Sequence, residues 1–590
     1  MRKLKATAIV LASFLVFSAC ESVTLNPSHS VNESVVSVPD IPEGTIPEDI
    51  SLDDTSGMDF GFTDRDLKTE YDEKAESVSG NKINITAEGT YVITGNVTSV
   101  TVNASDSAKI RIELDNAKIN NENGPAVYIS KADKVFITAK ENTENEISDG
   151  SSYTYSADVD ADGAIFSRAD LTVNGTGKIT VKGNNKHGIV SKDDLVIANC
   201  TLDVSAENVA LNGKDCIKIS DSTIKAVAGS DGLRSDNDED KTRGYVYIQS
   251  GKIDITSGND GIQAETAVRI DNAELNISAG GGSGTALNNS TESFKGIKAT
   301  SDIVIHNGEF LINSKDDCIH SNNTVCITNG KFILSSGDDG IHGDTDLSIS
   351  GGDVTISKSY EGLESSRIFI SGGNIDITAS DDGINAAGGN DSSAVGGRPG
   401  MGGFSNGVGE ITISGGNTTV NASGDGIDSN GTIAITGGVT LVSGPTNNGN
   451  GAFDYDGSAT VTGGVLIALG SAGMAQSFTN AENQGVIFLN VGNQAAKTTF
   501  KLCDENGKEI ISFTPPKTYQ TAVVTTPQIL DGNTYKIFCG DTEVSSITMS
   551  GLLYGGSGGM GPGGGDPGGK PVRPPERGNP PDRPNPPGRW

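Results

Sequence analysis

A triplet made of an acidic residue, a small residue and Ile or Leu returns along this chain at an almost constant interval: Asp317-Cys318-Ile319, Asp339-Gly340-Ile341, Glu361-Gly362-Leu363 and Asp382-Gly383-Ile384. The apolar members stand 22, 22 and 21 residues apart, and Ile297 lies 22 before Ile319. A repeat of this length that carries β-periodicity is the mark of a solenoid in which each repeat forms one coil.

The texture inside a repeat decides which solenoid. Between Asp339 and Ile356 the apolar residues are Ile341, Leu347, Ile349, Val354 and Ile356, with Ser, Thr, Asp and Gly between them. Pairs at a spacing of two mark strands with one buried face, and helical spacing is missing. The turn Ser350-Gly351-Gly352 recurs as Ser371-Gly372-Gly373, Ser414-Gly415-Gly416, Thr436-Gly437-Gly438 and Thr462-Gly463-Gly464, and as His306-Asn307-Gly308 and Thr328-Asn329-Gly330 in earlier coils. Gly and Asn tolerate positive φ at little cost, so the chain bends at the same place in every coil. Three strands and three bends per coil specify an all-β protein, a parallel β-helix. The register runs back through Ile262, Leu233, Ala210, Ile189 and Ile165 to Val127, and forward through Ile427 and Phe453. It predicts about a dozen coils over residues 81–473.

Longer steps are explained by polar insertions at 236–243, 279–293 and 387–409, of the kind that often gather on a binding face. Residues 474–550 leave the repeat. There Val486-Ile487-Phe488, Phe500-Lys501-Leu502, Ile510 to Phe513 and Tyr535 to Phe538 predict antiparallel strands, a domain that caps the open edge of the last coil. Cys503 and Cys539 both lie in it and are candidates to pair; Cys200, Cys216, Cys318 and Cys326 read as small coil residues, and no CxxC zinc spacing occurs.

The two ends differ from the middle. Arg2, Lys3 and Lys5 precede the apolar run Ala8 to Phe17, which closes on Ser18-Ala19-Cys20 as a bacterial lipobox would. Residues 1–19 are thus expected to be a lipoprotein signal peptide and Cys20 the lipidated first residue of a protein on the extracellular face of a bacterial membrane. An ordinary signal peptide with an incidental Cys is the alternative, since Phe17 is unusual at that position. Residues 20–80 read as an acidic flexible tether and 551–590 as a disordered Gly- and Pro-rich tail. The net charge of −33 argues against nucleic acid and against docking on anionic lipid, leaving the anchor as the expected membrane contact of a monomer.

The acids of the repeat carry the chemistry. Two positions before the apolar residue stand Asp231, Asp260, Asp317, Asp339, Glu361, Asp382 and Asp425, and Asp316, Asp338 and Asp381 double the charge one position earlier. Stacked about 5 Å apart, like charges cost roughly 0.8 kcal/mol per pair in bulk water and about three or more at an effective dielectric of 20. Calcium, a hard cation that takes six to eight oxygens, would relieve that repulsion. The alternative is that Asp before Gly only shapes a bend, its carboxylate bonding nearby backbone. Lys295 occupies the column in one coil and interrupts it.

The residue after the apolar position should point away from the core. That row is Arg234, Gln263, Lys298, His320, His342, Glu364, Asn385 and Asp428, and it reads as an exposed polar strip suited to sugars, with Phe294 and Tyr360 as the nearest rings to stack on. The carbohydrate-binding candidates are Lys298, His320, His342, Tyr360, Glu364 and Asn385. His320 and His342 sit one coil apart, but the sequence offers no third ligand for a transition metal.

Several segments together resemble a known family. Ile83 to Gly95 with its Gly89-Thr90-Tyr91-Val92-Ile93, the strand Lys109 to Leu114, Gly124-Pro125-Ala126-Val127-Tyr128, Asp133-Lys134-Val135 and the later Asp-Gly-Ile coils are similar to the clostridial cellulose- and pectin-binding β-helix proteins, the carbohydrate-binding domain-containing family, over roughly residues 80–550. The resemblance implies a right-handed parallel β-helix similar to family 9 polysaccharide lyases, with binding of calcium and of plant cell-wall polysaccharides such as cellulose and polygalacturonate. Three functions then compete: a non-catalytic binding module held at the cell surface, a calcium-dependent lyase with Lys298 as base, and a structural fibre or adhesin.

Overall fold

The computed structural model describes residues 57–67, 76–78, 81–154, 160–286, 292–387 and 409–555. The expected signal peptide with Cys20, most of the tether, nearly all of the 387–409 insertion and the tail beyond 555 lie outside the described residues. More than half of the described residues are in strands, the one helix among them is the single turn Asp64–Leu67, and one extended, mostly parallel sheet runs through them.

Each strand pairs with the equivalent strand of the next repeat, which is how a parallel β-helix is wired. Along one column Leu233, Ile262, Ile297, Ile319, Ile341, Leu363, Ile384 and Ile427 follow one another in register. A second column runs Val246, Val268, Ile303, Val325, Leu347, Ile368, Ile411 and Ile433. A third runs Ile224, Ile253, Leu275, Phe310, Phe332, Val354 and Ile375, with the Phe310 and Phe332 rings stacked at 4.4 Å. The side chains in all three are buried and merge into one core, so every Ile is covered by its counterpart in the next coil. One member of the expected column is displaced: Leu211, and not Ala210, lies opposite Leu233 and Ile189.

The Gly-Gly bends follow from close stacking. The second Gly has positive φ in five successive coils, as at Gly373 (87°), and a Cβ there would come within 2.8 Å of Gly352 O in the coil before. At Gly340 a Cβ would meet Gly362 O at 2.6 Å, so that coil requires Gly at the centre of its triplet, whereas the Asp317 coil accommodates Cys318.

After Val465–Gly470 the pairing changes direction. That strand takes Tyr519–Thr526 as an antiparallel neighbour, which also pairs with Gly485–Gln494. Phe500–Asp504, Glu509–Phe513, Thr534–Cys539 and Thr542–Thr548 form a separate four-stranded antiparallel sheet. In it Cys539 is opposite Phe500 while Cys503 is opposite Lys536, three positions out of line, and both thiols are free. The expected pairing fails because side chains so offset exceed the reach of a disulfide.

Part of the expected tether is docked. Phe60 packs edge-on against Tyr245 and Tyr247 at 5.1 and 5.8 Å, and Arg65 reaches Asp133 at 2.9 Å and Asp170 at 2.7 Å. Residues 57–67 therefore form a strap along the coils, held by Met58, Phe60 and Phe62 over a patch that includes Tyr245 and Tyr247. A composition averaged over 20–80 hides this short apolar group.

Candidate functional site

The acidic column exists as a physical ladder. Gly261 N–H donates to Lys295 O, Gly296 N–H to Asp317 O, Cys318 N–H to Asp339 O, Gly340 N–H to Glu361 O, Gly362 N–H to Asp382 O and Gly383 N–H to Asp425 O, so the acids of neighbouring coils are stacked. In several coils one carboxylate oxygen also accepts the amide of the column residue one coil on: Asp231 from Asp260 (3.3 Å), Asp260 from Lys295 (2.7 Å), Asp317 from Asp339 (2.9 Å) and Asp382 from Asp425 (2.5 Å). One oxygen is thus spent on backbone, as a bend-shaping Asp would spend it, and the other is left for chemistry.

The row after the apolar residue is in register as expected: Lys298, His320, His342, Glu364, Asn385, Asp428 and Asp454 lie side by side. Its exposure is not as expected. His320, His342, Glu364 and Asn385 are buried, and Lys298 and Tyr360 are half-buried. Both histidines fold back onto the acid three residues earlier and are flanked by the residue two further on, as His320 lies between Asp317 (2.8 Å) and Asn322 (3.0 Å). The polar strip is therefore a packed ionic layer, and those four buried residues offer no open sugar platform. Phe294 is also engaged, with Lys315 Nζ 3.7 Å from its ring centroid.

The upstream half of this layer contains its own cations. Arg234 meets Asp231 at 3.4 Å and Asp236 at 3.3 Å, Lys298 meets Asp260 at 3.8 Å, and Lys295 meets Asp316 at 3.2 Å and Asp317 at 2.5 Å. Burial of Asp317 acts to raise its pKa, but Lys295 and His320 overcome this and hold the carboxyl well below the usual range. The residue that interrupts the acidic column is the one that neutralises it.

Downstream, acids face acids. Asp382, Asp425 and Asp428 bring carboxylate oxygens within 4.8 Å of one another; Asp316, Asp317 and Asp338 do so too, at the boundary with the upstream half, where Lys295 meets the first two. Burial, then the charge of Asp339, pushes Glu361 up to about 8; burial, then Asp425 and Asp454, pushes Asp428 up to about 8. Asp425 rises to about 7, mainly through burial, and Asp382 rises well above its ordinary value through burial and the charges of Glu361 and Asp425. Among the described residues no Lys or Arg forms an ion pair with Glu361, Asp382, Asp425 or Asp428; Glu361 instead accepts Asn385 Nδ2 at 2.6 Å. Asp428 escaped the sequence reading as an acid of the site because it belongs to the following row; its step of 43 residues from Asn385 spans the insertion.

A family model described as carbohydrate-binding domain-containing protein matches residues 79–340 and 338–498. A carbohydrate-binding domain-containing protein of Acetivibrio thermocellus is 33% identical over 209 residues, covering 35% of this chain and 73% of that protein. A solved structure described as the polysaccharide lyase-like protein from C. thermocellum, a gadolinium derivative, is 30% identical with a TM-score of 0.35, covering 39% of this chain and 88% of the other. With the matched segments spanning well over half of its length, the chain belongs to the carbohydrate-binding domain-containing family.

Proposed function

We propose that this protein is a surface-anchored, non-catalytic module that binds plant cell-wall polysaccharide, acidic polygalacturonate or pectin and also cellulose, with calcium as a bridging ion. The observation that carries the reading is the oxygen-only cluster Asp382, Asp425 and Asp428, which has no cationic partner among the described residues and whose carboxyls are held above their ordinary range. Three hard anionic donors without a competing ammonium suit calcium better than a softer ion. Bound there, calcium would neutralise the cluster and offer its remaining positions to uronate oxygens. Asp316, Asp317 and Asp338 fit less well, because Lys295 already occupies Asp316 and Asp317.

The half-buried Tyr360 and Asp381, beside Glu361 and Asp382, extend the same face. The only Trp of the chain is Trp590, at the end of the tail, so the solenoid has no Trp row for crystalline cellulose, and the acidic polymer is expected to bind at least as well. A pull-down of the protein, lacking residues 1–20, against polygalacturonate, cellulose and xylan with and without EGTA tests this. Retention on polygalacturonate that vanishes with EGTA is expected; strong binding to cellulose alone, indifferent to EGTA, would overturn the calcium reading.

A further inference from the structure

One group in the ionic layer has a different donor set. His342 is fully buried, and its Nδ1 lies 3.1 Å from Asp339 Oδ2 and 2.8 Å from Glu364 Oε2. A ring nitrogen carries at most one proton and can satisfy one of these two carboxylates. Glu364 Oε2 makes no hydrogen bond of proper geometry, and neither does Asp339 Oδ1, the oxygen that would continue the ladder to the next coil; both residues are at least 95% buried. Buried carboxylate oxygens without a donor are costly unless a cation meets them.

The other side of the ring is already arranged. His342 Nε2 is 3.0 Å from Asp344 Oδ1 and can donate its proton there, so a metal ion that displaces the Nδ1 proton would find that nitrogen's lone pair directed between Asp339 and Glu364. A histidine that donates one N–H to a carboxylate while its second nitrogen faces two more carboxylates has the pattern of a metal ligand with its outer-sphere partner in place. Separations of 2.8 and 3.1 Å lie near the ~3.0 Å between donors at right angles on an ion with bonds of roughly 2.1 Å, and a tetrahedral ion would open them to about 3.4 Å.

We propose that His342 Nδ1, Asp339 and Glu364 bind a divalent transition-metal ion of the zinc class, at a site separate from the oxygen-only cluster. The neighbouring His320 is not a ligand, although its ring stacks on His342 at 4.7 Å. Its Nδ1 is turned to Asp317, whose Oδ2 also meets the Lys295 ammonium at 2.5 Å, and a metal there would face that positive charge. An imidazole donor favours zinc, cobalt or nickel over calcium, which separates the two sites by ion as well as by position.

The full chain, stripped with chelator and equilibrated with zinc or cobalt(II), tests this. One tightly held equivalent is expected, with cobalt d–d absorption in the visible. X-ray absorption of the zinc form should show one imidazole among oxygen ligands. His342→Gln should lose the equivalent while keeping its calcium response, and Asp344→Asn, which leaves every ligand in place, should weaken zinc by about 10- to 100-fold. No uptake by the wild-type chain, or a spectrum with two imidazoles or none, overturns the proposal. Those outcomes are read on wild-type protein and hold even if a variant fails to fold. They are independent of calcium: loss of the calcium response in Asp428→Asn with zinc uptake retained supports both sites, and zinc uptake unchanged in a folded His342→Gln removes only this one.

Discussion

The ionic layer is one register carrying two solutions to the same electrostatic problem. From Asp231 to Asp317 each stacked acid has a Lys, Arg or His against it, supplied by Arg234, Lys298, Lys295 and His320. From Asp339 to Asp428 the backbone geometry is the same, but His342 is the one basic side chain that forms an ion pair with these column and row acids among the described residues. A repeat fixes where charges stand; it does not fix their sign. Upstream the layer is a structural ion-pair lattice, and downstream it is a set of anionic donors that needs protons or cations from outside.

The sharpest way to break this comparison is to remove the upstream cation. Lys295→Met keeps the bulk of the side chain and deletes its charge, leaving the fully buried Asp317 with His320 as its remaining ionic partner. Leaving buried charge uncompensated typically costs about 3–5 kcal/mol. Chemical denaturation should show a loss of that order, and calcium should not restore it. A change below about 1 kcal/mol, the range of an exposed pair, would mean that the lattice contributes nothing beyond surface charge.

Calcium should produce the next largest effect, and in the downstream half. At a calcium concentration about 100 times Kd, linkage gives roughly 2.7 kcal/mol of added stability. The pH dependence sharpens the test, because the two halves have opposite signs. Glu361, Asp425 and Asp428 have folded pKa values raised to about 8, 7 and 8, against about 4 in an unfolded chain. The folded state binds more protons there, so their contribution is intact below pH ~4 and is lost as pH rises through about 7–8. The depressed Asp317 does the reverse, adding stability above about pH 4 that disappears as pH falls toward its folded value. The calcium-minus-EGTA shift in Tm should therefore be larger at about pH 8 than at about pH 5. In Asp382→Asn/Asp428→Asn the EGTA form should be stabilised at the higher pH and the calcium shift abolished. An equal shift in wild type and variant would place calcium elsewhere.

A smaller effect is expected at the upstream edge. Arg234 is a quarter exposed and its contacts with Asp231 and Asp236 are 3.4 and 3.3 Å, so Arg234→Gln should cost about 1 kcal/mol or less and leave the calcium response unchanged. A cost of several kcal/mol would show that the upstream lattice is cooperative and cannot be read pair by pair.

The columns were legible in the sequence because stacking repeats one residue type at one position. Ile319, Ile341, Leu363 and Ile384 announce both the coil length and the buried face, and Gly352 and Gly373 announce the bends. The direction in which His320 and His342 lean was not legible. Alternation of faces assigns the residue after an inward Ile to the outside, but here the acid three residues earlier draws the imidazole back and buries it, an interaction that depends on the shape of the bend. The third ligand beside His342 was hidden for a related reason: Asp339 and Glu364 come from different coils, and Glu364 lies outside the acidic column, in the row that follows the apolar position. The strap at 57–67 was missed because its anchors, Phe60 and Arg65, are isolated within a polar stretch.

The smallest expected effect is none, and it decides whether the upstream half has a chemical role as well. A lyase acting on polyuronate needs a base to take the proton α to the carboxyl, and Lys298 is the basic side chain of the row closest to that task. Its Nζ lies 3.8 Å from Asp260 Oδ2, so in this structure it serves as the counter-ion of a buried acid. Elimination yields an unsaturated product that absorbs in the ultraviolet. The protein incubated with polygalacturonate and calcium at alkaline pH should therefore show no rise in absorbance. A rise abolished in Lys298→Ala would make the protein an enzyme and turn one ion pair of the lattice into its catalytic base. A rise that persists in Lys298→Ala would overturn both the non-catalytic reading and Lys298 as the candidate base.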